Sequence, residues 1–153
     1  VDRPLALAGV ISGFTLGHTV TLLLAGLNLL FLPARLVESA IAFSIAIVAF
    51  ENTRSRLPQG RWLLATLFGL VHGFGFASSL RGLLPPDHLA LSLLLFNLGV
   101  EAGQLGAVAM AWPILRMAGR WQGWAARGPR GLSWGIFSVG AVLFVLRIAG
   151  VSI

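Results

Sequence analysis

Apolar residues in this chain run in blocks long enough to cross a bilayer, and short polar stretches separate them. Five such blocks stand near 5–31, 34–52, 61–83, 88–112 and 131–149. Each meets or approaches the roughly 20 residues of helix that a hydrocarbon core requires. No block alternates apolar and polar residues as a membrane barrel strand does, so the pattern predicts helices. Pro4 suits a first helical turn, and Pro33 and Pro85-Pro86 separate blocks. Pro113 is expected to end or kink the fourth block. The expected fold is all-α: a polytopic transmembrane bundle of five membrane-spanning helices, forming one domain over 1–153.

Composition fixes the solvent. Hydrophobic residues make up 57% of the chain and charged residues 10%, with a mean hydropathy of +0.89. A soluble domain carries about 25% charged residues, so this chain cannot coat itself for water. Disorder, a soluble enzyme and a nucleic-acid module are set aside; the lipid bilayer is the expected partner. The net charge of +6 comes from eleven Arg against five acids, but the arginines sit between apolar blocks, where they act as topology signals. Arg54, Arg56 and Arg61 fall in the 53–61 connection, and Arg116, Arg120, Arg127 and Arg130 in the 113–130 connection. Both lie on one side if every block crosses. Only Arg35, Arg81 and Arg147 mark the ends of blocks on the other side.

The positive-inside rule makes the Arg-rich connections cytoplasmic, with the N-terminus inside and the C-terminus outside. Trp62, Trp112, Trp121, Trp124 and Trp134 fall near the same inner ends, as an interfacial belt does. There is no Cys, hence no thiolate ligand and no thiol nucleophile. The opening Val-Asp-Arg-Pro has neither an initiator Met nor a signal-peptide pattern, as expected of a piece of a longer protein.

Polar groups at membrane depth are expensive and usually mark a path, a ligand or a proton relay. His18 lies at the centre of the first block, with Thr15 and Thr19 on its face by three- and four-residue spacing. His72 lies in the third block, and Gly69 and Gly73 share its face, so a neighbouring helix or ligand can approach closely. In the fourth block Asn97, Glu101 and Gln104 stack on one stripe. Gly99, Gly103 and Gly106 form the opposite stripe, a small-residue surface suited to tight contact, including a homo-oligomer. Glu38 sits nearer the outer end of the second block.

Two imidazoles and a carboxylate at similar depth suggest a divalent-metal site. Neutral His and carboxylate suit Zn, Ni, Co or Fe. His18, His72 and Glu101 are the expected ligands, with Asn97 and Gln104 completing or orienting the shell. Blander roles stand beside these. A membrane His also serves as an interhelical hydrogen bonder, and Thr15, Thr19 and Thr21 can bond their own helix backbone. Glu38 can act in topology alone. Glu51 and Asn52 read as a solvated cap, and Asp87 with His88 as an ordinary helix start.

Three runs resemble a known family: Phe14-Thr15-Leu16-Gly17-His18-Thr19-Val20-Thr21-Leu22, Phe68-Gly69-Leu70-Val71-His72-Gly73-Phe74-Gly75-Phe76-Ala77 and Phe96-Asn97-Leu98-Gly99-Val100-Glu101-Ala102-Gly103-Gln104. They are similar to the HupE/UreJ-type membrane proteins, and Val37-Glu38 with Ala40-Ile41-Ala42 and Ser44-Ile45 fits the same pattern. The resemblance covers about 14 to 112. It implies a bacterial inner-membrane protein tied to hydrogenase or urease maturation and proposed as a nickel or cobalt permease. Carried over by position, His18, Glu38, His72, Asn97, Glu101 and Gln104 are its metal-path residues. One departure stands out: family members usually carry an earlier helix with an H-x5-D-H motif, and Asp2 to Gly13 contains no His. Either that helix is missing from this chain or the lineage has lost it.

Two further function classes remain beside the permease, which is favoured over an enzyme. An intramembrane metal-dependent hydrolase would use the same ligands with one position open to water, and Ser78 and Ser79 lie in the third block. A structural assembly subunit would use the polar stripe only to join helices.

Overall fold

The computed structural model describes residues 4–54, 60–80, 83 and 86–151, less the side chains of residues 4, 5, 78, 79, 86, 122, 125 and 126. Among the described residues there are five α-helices and no strand: α1 Pro4–Gly26, α2 Ala34–Asn52, α3 Arg61–Leu80, α4 Leu89–Ala118 and α5 Gln122–Ile148. A 3-10 turn, Pro86–His88, leads into α4. Arg56, Arg81 and Pro85 lie outside the described residues.

The helices answer the five apolar blocks, but their ends move for local reasons. α1 stops at Gly26, not near 31. Asn28 takes a left-handed φ of 59°, its N–H donates to Ala25 O at 3.1 Å, and Leu29 N–H donates to Leu24 O at 2.8 Å. This is a Schellman closure with Asn at the position more often held by Gly. It ends the helix although the apolar run continues to Leu32. α2 starts where Pro33 predicts, the Pro33 carbonyl accepting from Leu36 and Val37 N–H.

Pro113 does not end the fourth helix. α4 carries it internally and continues to Ala118. A helical proline removes one backbone bond, and apolar spans tolerate this when the flanking bonds persist. Pro129 is likewise inside α5, which begins at Gln122, well ahead of the expected 131. The expected 113–130 connection therefore shrinks to 119–121. Arg116 sits in the last turn of α4, while Arg127 and Arg130 ride on α5.

Among the described residues three helical segments are long and apolar enough to cross a membrane, not five: Ala6–Gly26, Leu89–Ala118 and Arg127–Ile148. α2 falls short because Arg35, Glu38 and Glu51 all lie within its 19 residues. In α3 the described residues give the apolar stretch Arg61–Ala77, and the side chains that follow it, Ser78 and Ser79, lie outside them.

The chain forms two compact units, Val1–Val37 with Gly60–Leu105 and Glu38–Gln59 with Gly106–Ile153. In the first, α1 and α3 lie in close parallel contact. Gly13 and Gly17 face Trp62, Thr66 and Leu70, while Gly69 and Gly73 face Phe14, His18 and Leu22. Lipid is as apolar as leucine, so van der Waals approach must hold such a pair, and small residues permit it. A Cβ at Gly17 would collide with the Thr66 carbonyl, and one at Gly69 with the Phe14 carbonyl. Leu22, Ala25, Ala77 and Leu93 form a buried cluster that joins α1 and α3 to the start of α4.

In the second unit α2 and α5 run antiparallel. Glu38 pairs with Arg147 at 2.9 Å, the Phe43 and Phe144 rings lie 5.1 Å apart, and Phe50 meets Phe137 at 5.8 Å. Between them Gly140 faces Ala42 and Ala46. Glu51, expected to be a solvated cap, is half-buried, and its Oε2 is shielded from solvent.

Candidate functional site

The polar stripe of α4 lies against α1, and antiparallel packing sets which residues meet. Ser12 Oγ donates to Glu101 Oε1 at 3.1 Å. Thr15 Oγ1 donates to Gln104 Oε1 at a long 3.5 Å. Nearer the centre, His18 Nδ1 lies 2.7 Å from Asn97 Oδ1, and Asn97 Nδ2 donates to Thr19 Oγ1 and to Thr15 O at 3.4 Å. His18, Thr15 and Asn97 are all buried. Three- and four-residue spacing on both helices builds this seam.

The bland reading of the threonines also holds. Thr19 Oγ1 donates to Thr15 O at 2.7 Å, and Thr21 Oγ1 to Gly17 O at 3.3 Å. Such back-bonds satisfy the hydroxyl within the helix. Thr19 does both jobs, since its oxygen still accepts from Asn97.

His72 reaches the site from α3. Its Nδ1 lies 2.8 Å from the carbonyl of Phe68, one turn earlier. Phe14 links the two imidazoles: its ring stacks on His18 at 5.9 Å between centroids and meets His72 edge-on at 5.2 Å. Phe76 closes another side of His18, edge-on at 5.5 Å, and itself touches Phe96 at 5.9 Å. The expected close approach at Gly69 and Gly73 is present, and it brings the His72 face against α1.

His18 ends with one atom unaccounted for. The residue is only 1% exposed, yet its Nε2 is buried and has no hydrogen-bond partner among the described residues. Buried polar atoms nearly always have partners.

The structure thus brings together His18 and Asn97, with Thr15 and Thr19, and sets His72 beside them across Phe14. It does not gather His18, His72 and Glu101 into one ligand set. Among the described residues no three His, Asp or Glu side chains cluster closely enough to hold a metal ion. Glu101 lies one turn beyond Asn97 on α4, and the antiparallel register carries it to Ser12. Glu38 belongs to the other unit, where it pairs with Arg147. The side chains of Ser78 and Ser79 lie outside the described residues.

Sequence reasoning missed Ser12, Phe14, Phe76 and Phe96. Signals for three of them were present: Ser12, Thr15 and Thr19 follow a helical stripe, Phe14 precedes His18 by four, and Phe76 follows His72 by four.

Comparison with known proteins gives one finding at the family level: a family model described as HupE / UreJ protein matches residues 2–148. No curated protein and no solved structure matches the chain.

Proposed function

The chain belongs to the HupE/UreJ family, and from that membership we propose that it binds a divalent transition metal within the bilayer and passes it across as cargo. Nickel or cobalt is the cargo that the resemblance implies, in support of metalloenzyme maturation, and zinc fits the same donors. The observation that carries the reading is the buried Nε2 of His18, which has no hydrogen-bond partner among the described residues. Leaving such an atom unsatisfied costs about 1–3 kcal/mol, and a cation meets that need directly. Imidazole nitrogen suits Zn, Ni and Co alike.

His18 and His72 supply nitrogen, and the ion exchanges water for it at the Phe14 ring. Glu101 and Gln104 extend the polar seam along α1 toward Ser12 and give the ion its oxygen contacts on the way. Asn97 acts from behind His18. Glu38 is tied to Arg147 and takes no part.

In this reading all five helices cross the membrane, α2 and α3 joining the three that are long and apolar enough. The Arg-rich ends face the cytoplasm, and the membrane is the bacterial inner membrane.

The test is metal binding by the protein purified in detergent without a histidine tag. Titration with Ni, Co and Zn should show saturable binding that is lost in His72→Ala and weakened in Glu101→Ala. Binding unchanged in both variants overturns the proposal.

A second reading has its own support: Ser12–Glu101, Thr15–Gln104 and Thr19–Asn97 each join α1 to α4. A purely structural seam needs those bonds and no ion. Glu101→Gln separates the two, since a seam tolerates the amide and a metal path does not.

A further inference from the structure

We propose that Asn97, clamped by α1, fixes His18 in the tautomer protonated on Nδ1, so that His18 and His72 together present two bare Nε2 atoms as a cation's donor pair. The choice of a cation as ligand rests on the reading above. The tautomers follow from donor and acceptor chemistry alone.

The Thr15 carbonyl can only accept. Thr19 Oγ1 donates to it at 2.7 Å, and the Asn97 side chain approaches it at 3.4 Å. The atom of Asn97 on that side must therefore be the NH2 group. With the Thr19 proton committed to Thr15, the Thr19 oxygen accepts from the same NH2. The carboxamide is thus oriented from α1, and the end facing His18 is Oδ1, which has no proton to give. At 2.7 Å from that oxygen, His18 Nδ1 must be the donor. In a neutral imidazole the other nitrogen then carries only its lone pair. That nitrogen is the buried Nε2, which has no partner among the described residues.

His72 reaches the same state by another device. Its Nδ1 faces the Phe68 carbonyl at 2.8 Å, again an acceptor only, so its Nε2 is also bare. Both rings rest on Phe14, and two neutral imidazoles with their protons turned away offer lone pairs without first releasing a proton. Ligating histidines ordinarily have the far ring N–H held in this way, which fixes the tautomer and raises ligand basicity. Asn97 is accordingly a positioning residue.

The test uses the full chain without a tag, metal-free in detergent, with histidine ring nitrogens labelled with nitrogen-15. Exposed His88 serves as the internal reference. His18 and His72 should each show a protonated Nδ1 and an unprotonated Nε2. Asn97→Leu should release His18 from that state and leave His72 unchanged. Asn97→Asp, protonated on Oδ2, keeps both the donor toward Thr15 and the acceptor toward His18, and should restore the wild-type pattern. Zinc, added next, should move the Nε2 resonances of both rings, and Asn97→Leu should weaken zinc binding by about 10–100-fold. A protonated Nε2 on His18 in the metal-free wild type overturns the inference whatever zinc does. The expected tautomers with resonances indifferent to zinc support Asn97's positioning role and overturn the cation reading beneath it.

Discussion

The α1–α3 pair and the α2–α5 pair solve one problem by different means. With all five helices in the membrane, as proposed, neither can rely on a hydrophobic gain, since lipid chains satisfy apolar side chains as well as another helix does. α1 and α3 bring backbones together through Gly13, Gly17, Gly69 and Gly73. α2 and α5 meet through the rings of Phe43, Phe50, Phe137 and Phe144, with one backbone approach at Gly140, and tie one end with Glu38 and Arg147. The glycine contact leaves no room to adjust, and the candidate site stands on it: His18 and His72 flank Phe14 because α1 and α3 approach so closely. The aromatic contact carries no such chemistry. Precision of the backbone and placement of the imidazoles go together in the first unit.

The largest expected effect breaks this contrast directly. In Gly69→Ala the new Cβ meets the Phe14 carbonyl, and backbone atoms must move. In Gly140→Ala it meets the Ala46 backbone at 3.0 Å, so α2 must give by only a few tenths of an ångström, far less than at Gly69. Overpacking of a tight contact costs about 1–3 kcal/mol, occasionally more. Gly69→Ala should stand at or above the top of that range and also weaken metal binding; Gly140→Ala should stand at the bottom and leave binding alone. Thermal unfolding in detergent ranks the two. Equal losses would mean that backbone approach does not distinguish the pairs.

Next in size is the polar seam. Interhelical hydrogen bonds in membranes average about 0.6 kcal/mol and reach about 1–2 kcal/mol. Asn97→Leu should fall at the upper end, because it strands His18 Nδ1 in a buried place. Replacing both partners, His18→Leu with Asn97→Leu, should recover much of the loss, since removing a donor and its acceptor together can be nearly neutral. A double-mutant cycle measures this coupling. If the double variant is worse than the sum of the singles, the pair does not act as a unit.

The ion pair of the second unit should matter less. Glu38 and Arg147 are 43% and 27% exposed, and exposed pairs are typically worth about 0.2–1 kcal/mol. Glu38→Gln should cost no more than that, lose its effect in high salt, and leave metal binding unchanged. A loss of binding would return Glu38 to the metal path.

What was legible in the sequence follows the same division. Long apolar runs located the five helices, and helical spacing placed Asn97, Glu101 and Gln104 on one face of α4. That His18 sits at the centre of α1 was equally plain. Which helix each face would meet was not, because Glu38 and Arg147, or His18 and Asn97, are far apart in sequence and nothing local registers their approach. Helix ends were misread where backbone chemistry overrode hydropathy: the left-handed Asn28 closed α1 early, and Pro113 and Pro129 were absorbed into helices. Charges within α2 left that helix below the apolarity that a span requires.

The small-residue stripes show the limit of spacing most clearly, and they give the smallest expected effect. Gly69 and Gly73 are four apart, as are Gly99 and Gly103; the first two are pressed against α1, while a Cβ at Gly99, Gly103 or Gly106 meets nothing within 4 Å among the described residues. Sequence alone treats the stripes alike. On the open stripe a substitution should change the monomer by no more than about 0.5 kcal/mol, and Gly103→Ala should fall on the stabilising side because alanine loses less backbone freedom in a helix. The homo-oligomer proposed for this face predicts a different readout. If a second copy packs there, Gly103→Leu leaves the unfolding midpoint of the dilute monomer nearly unchanged but lowers the dimer fraction in bilayers at fixed protein-to-lipid ratio. A dimer fraction that ignores Gly103→Leu assigns the stripe to lipid, and the four-residue glycine spacing then has one meaning in α3 and none in α4.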